Sequence, residues 1–91
     1  MAVTNGRGWY RFAVAGDTVT GKLHITSIVA SVGAVAATAA APITIKDGDG
    51  DTIASLSVPV ESFNTISVDT VVDGIELDAL PAGGTITVFV Q

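Results

Sequence analysis

From residue 17 onward the chain is written in short runs of alternating apolar and polar residues, broken by Asp/Gly and Pro/Gly turns. Alternation with a period of two puts successive side chains on opposite faces of a pleated strand, so such a chain folds into sheets with one face buried. Residues 22–26 alternate around Leu23 and Ile25, which leaves His24 on the opposite face. Residues 42–46 set Ile43 and Ile45 on one face. Asp47-Gly48-Asp49-Gly50 tolerates positive φ and separates that strand from residues 51–58, the strongest hairpin signal in the chain. Residues 63–72 put Ile66 and Val68 inward and Thr65, Ser67 and Asp69 outward. Asp73-Gly74 forms a second tight turn before residues 74–78, and Pro81-Ala82-Gly83-Gly84 leads into residues 85–91. There Ile86, Val88 and Val90 share a face, and Phe89 falls on the other. The Ala-rich stretch 30–41 has no apolar stripe of helical width and carries Gly33. Ala favours helix, which keeps a short helix as an alternative, but the stretch reads first as a loop, or as a strand that continues and then loops. The pattern predicts an all-β fold: a small antiparallel β-sandwich or partly open barrel of six to seven short strands, with no internal repeat.

Ninety-one residues make one domain. A chain this short buries only ~60–65% of the surface it exposes when unfolded. With no Cys, it has no disulfide to compensate and depends on aliphatic packing or on association. Nine acids against four bases give a net charge of −5. That balance disfavours nucleic acid and anionic lipid as partners, since both select clustered Lys and Arg. The first eight residues lack the apolar core of a secretion signal, and residues 28–43 are too dilute in strong hydrophobes for a membrane helix.

Residues 1–16 read as an extended N-terminal arm or edge strand preceding a sandwich domain at 17–91. The arm holds three of the five aromatic residues and two of the four bases. Trp, Tyr and Arg are the commonest interface anchors, which makes Arg7, Trp9, Tyr10, Arg11 and Phe12 candidate contact residues, with the outward Phe89 beside them. The competing reading is that Trp9 and Phe12 close one end of the domain's own core. Asp47, Asp49 and Asp51 form a candidate calcium site, because alternate carboxylates in a Gly-bearing loop can converge on a hard cation. The EF-hand pattern then fails at Thr52 and Val58, and a solvated hairpin turn explains the same residues. No other cofactor is indicated. His24 is the only imidazole, and Asp69, Asp73, Glu76 and Asp78 fall on outward positions or in a turn, so no acid–base or nucleophilic arrangement is indicated and the chain does not read as an enzyme.

Residues 43–51 (ITIKDGDGD), 72–77 (VDGIEL) and 79–90 (ALPAGGTITVFV) resemble the small β-sandwich structural proteins of tailed-phage virions. The resemblance covers residues 17–91 and leaves out the arm. It implies a capsid decoration, or cement, protein that binds the major capsid protein and copies of itself. Such a protein would be made in the host cytoplasm and carried on the virion's capsid surface. A neck, tail or head-fibre component is the alternative within that family of roles. A calcium-dependent carbohydrate- or surface-binding module is the alternative from another class.

Overall fold

The computed structural model describes residues 4–6 and 8–91, residues 4–6 through their backbone. In chain order the strands are β1 (Thr4–Gly6), β2 (Trp9–Phe12), β3 (Thr18–Val19), β4 (Leu23–Ser31), β5 (Ile43–Asp47), β6 (Thr52–Leu56), β7 (Phe63–Val72), β8 (Ile75–Ala79) and β9 (Thr85–Val90). They build two antiparallel sheets, one of five strands in the order β1-β2-β9-β4-β7 and one of four in the order β3-β8-β5-β6. The sheets do not close into a barrel, and among the described residues there is no helix.

The pairing follows one rule. β5 pairs with β6 across the turn at 47–51, β4 pairs with β7 outside them, β3 with β8 outside those, and β2 with β9 outermost. The chain from β2 to β9 is therefore a single long antiparallel ribbon folded back at the Asp/Gly turn. Wrapped on itself, the ribbon brings β4 against β9 and β5 against β8, which completes the two sheets. This is the wrapping of an eight-stranded jelly roll, with β1 added at one edge.

Between the sheets lies an aliphatic core with one large aromatic ring. Phe12, Ile25, Ile28, Ile43, Ile45, Val58, Ile75, Leu77, Ile86 and Val88 are its largest fully buried side chains. The alternation predicts this set well where Ile or Val occupies every second position. On β4 the phase changes: the register slips between Ile25 and Ser27 against both neighbouring strands, so Ile25 and Ile28 both point inward. Such a bulge twists a strand locally and re-aims the side chains beyond it. β4 continues to Ser31, and the Ala-rich segment then loops to β5, tied midway by a bridge between Ala37 and Val58.

The fold is the small antiparallel sandwich that the alternation implies, with nine strands among the described residues where six or seven are expected. Of the two readings of the N-terminal segment, arm or edge strand, residues 9–12 take the strand: β2 pairs with β1 on one side and with β9 on the other. The cause is the alternation of β2 itself. Phe12 enters the core and Tyr10 packs against it, while Trp9 and Arg11 turn outward.

Candidate functional site

The candidate contact residues separate by face. Phe12 has no exposure and belongs to the interior, so it is withdrawn as a contact residue. Tyr10 is half-buried against the core. Arg7 lies outside the described residues. Trp9, Arg11 and Phe89 remain, and the sheet brings them together. Trp9 is directly opposite Phe89 across β2 and β9, and Phe89 is opposite Ser27 of β4. The Arg11 guanidinium carbon stands 5.5 Å from the centre of the Trp9 ring, within cation–π range. Phe89 keeps 38% of its surface exposed although it stands on a central strand. The result is a small amphipathic platform on the outer face of the five-stranded sheet, ringed by Thr and Ser from β9, β4 and β7.

The distribution of charge sets this face apart. Of the nine acids, only Asp69 stands on it, and its carboxylate is bonded to His24 Nε2. Glu76 and Asp78 lie on the outer face of the other sheet, where Asp78 is 3.7 Å from Lys46 Nζ. The remaining acids are in turns and loops, apart from Asp47, which closes β5. The carboxylates weighed for acid–base work, Asp69, Asp73, Glu76 and Asp78, are thus spread over two sheets and a turn. His24 lies outward as its neighbours Leu23 and Ile25 require.

Asp47, Asp49 and Asp51 lie together in the turn between β5 and β6, where Asp47 has a structural part. Asp47 Oδ1 accepts the backbone amides of both Asp49 and Asp51 at 2.9 Å, and the Asp47 amide donates to the Asp51 carbonyl at 2.8 Å. One carboxylate oxygen is committed to holding the turn, while the Asp49 and Asp51 residues are exposed. Among the described residues no three His, Asp or Glu side chains group as a metal site.

Sequence reasoning missed two outward residues, Phe63 and Val71, which are 69% and 57% exposed on β7. The signal was present: they share the parity of Thr65, Ser67 and Asp69. A groove of about 480 Å³ also opens between the Ala-rich loop and the β8–β9 corner, lined by Val35, Ala41, Pro42, Leu80 and Pro81 among others. It offers no titratable side chain. The chain matches no protein-family model, and no curated protein or solved structure matches it either.

Proposed function

We propose that this protein is a non-enzymatic structural component of a tailed-phage virion, a decoration subunit that docks on the lattice of the major capsid protein and stabilises it. The observation that carries the reading is the platform of Trp9, Arg11 and Phe89 on a sheet face nearly free of acids, in a chain whose net charge is −5. Aromatic and Arg side chains held on paired strands lose little conformational freedom on docking, which is what a recurrent contact surface needs. Moving the acids to the turns and the opposite face keeps free subunits soluble without opposing contact at the platform. The jelly-roll wrapping accords with this setting, since viral capsid domains use it, although lectin domains and cupins do too and the fold alone assigns no role. The alternative of a calcium-dependent module rests on the Asp47, Asp49 and Asp51 turn, where one Asp47 oxygen already accepts two backbone amides, and calorimetry with calcium tests it: heat of binding would favour that alternative.

Electron microscopy of virions should show density for this chain repeated over the shell. Trp9→Ser and Phe89→Ser variants should fold and yet fail to decorate shells that lack the native subunit. Density confined to the neck, tail or head fibres would defeat the reading in favour of that alternative.

A further inference from the structure

Four strands lie at sheet edges, and they are very unequal. β1, β3 and β6 span three, two and five residues, whereas β7 spans ten. Among the described residues β7 is paired on one side only, by β4. A free strand edge is a row of unpaired amides and carbonyls, and proteins usually blunt it by shortness, by Lys or by Pro. β7 is long, has no Lys and no Pro, and its one charged residue is Asp69; its one irregularity is the register slip against β4 between Ser67 and Thr70.

The side chains of β7 are arranged for one particular partner. Antiparallel self-pairing about Ser67 sets Phe63 opposite the partner's Val71, and this contact occurs twice. It covers the two large hydrophobics that β7 leaves most exposed, at 69% and 57%. The same register sets Ile66 opposite the partner's Val68, two partly buried side chains beside the core. It sets Asp69 opposite the partner's Thr65, so no like charges meet. Centring on Asp69 would place the two carboxylates face to face, and centring on Val68 would set Phe63 against the partner's Asp73. Cross-strand apolar pairs stabilise and opposed like charges destabilise, so of these three registers the one centred on Ser67 is favoured, and it alone covers both Phe63 and Val71 with each other.

We propose that β7 pairs with β7 of a second copy, antiparallel and centred on Ser67, joining two five-stranded sheets into one continuous sheet through a two-fold axis. The proposal does not depend on what the outer platform binds.

The chain has no native Cys, so introduced thiols report the register without ambiguity. Light scattering on the purified full chain should give twice its 9.1 kDa mass. Under mild oxidation Ser67→Cys should form a covalent dimer much faster than the turn control Asp49→Cys, because directly opposed Cβ atoms approach disulfide range. Thr65→Cys and Asp69→Cys should each form no disulfide-linked dimer alone and should cross-link when the two are mixed. Ser67→Asp, which opposes two carboxylates on the axis, should weaken association at least tenfold. Circular dichroism would report whether that variant folds, and the thiol variants decide the question if it does not. A monomer at high micromolar concentration, a trimer, or a dimer in which Ser67→Cys links no faster than Asp49→Cys would overturn the proposal.

Discussion

Phe12 and Trp9 stand three positions apart on one short strand and serve opposite sides of the sheet. Among the described residues Phe12 is the only large aromatic ring that is fully buried, so replacing it empties the middle of the core. Phe12→Ala should cost ~3–5 kcal/mol in urea denaturation, a large part of what a small domain has. Trp9→Ala should cost about 1 kcal/mol in the same measurement, the cation–π contact with Arg11 and some covered area. Gly48 is constrained differently. A Cβ there would overlap the Asp73 carbonyl oxygen, and a Cβ on Gly74, whose φ is 117°, would come within 2.9 Å of the Val19 carbonyl oxygen. Three turns therefore meet at one end of the sandwich with their backbones in contact. Gly48→Ala should lower the thermal midpoint by several degrees, roughly 1–3 kcal/mol of overpacking, while Gly33→Ala, with open space around it, should leave the midpoint unchanged.

At the scale of elements, the turn at 47–51 is the innermost point of the ribbon, and every other pairing nests outside it. Loop closure grows costly with the length closed, so pairing outward from this turn is the inexpensive route to the fold. Asp47→Ala removes two amide acceptances and should cost ~1–2 kcal/mol. Stopped-flow chevrons should place most of that loss in slower folding, with unfolding little changed. Asp49→Ala, whose side chain is not used in the turn, should leave both rates as they are. The turn was legible in the sequence because Asp-Gly repeats between alternating strands have few other uses. β2 was less legible: it spans four residues, and three of them, Trp9, Tyr10 and Phe12, are aromatic on both faces, so only Arg11 marks which side is outward. β3, at two residues, is too short to carry a pattern at all.

At the scale of the molecule, alternation names the strands and their faces but not their partners. That Trp9 meets Phe89 depends on a pairing between residues near opposite ends of the sequence, and no local signal encodes it. Both residues could be marked as outward or aromatic from sequence, whereas their adjacency appears only when the ribbon wraps. The same wrapping leaves the amide of Val90 bonded to the carbonyl of Gly8 at 2.9 Å, at the open tip of the outermost strand pair. Tension applied at that tip would peel β2 from β9 one rung at a time, like a zip. Load spread across β4 and β7 would instead be borne by many rungs at once. A domain of this design resists stress when it is gripped broadly by its long strands, and gives way when it is tugged by the tip.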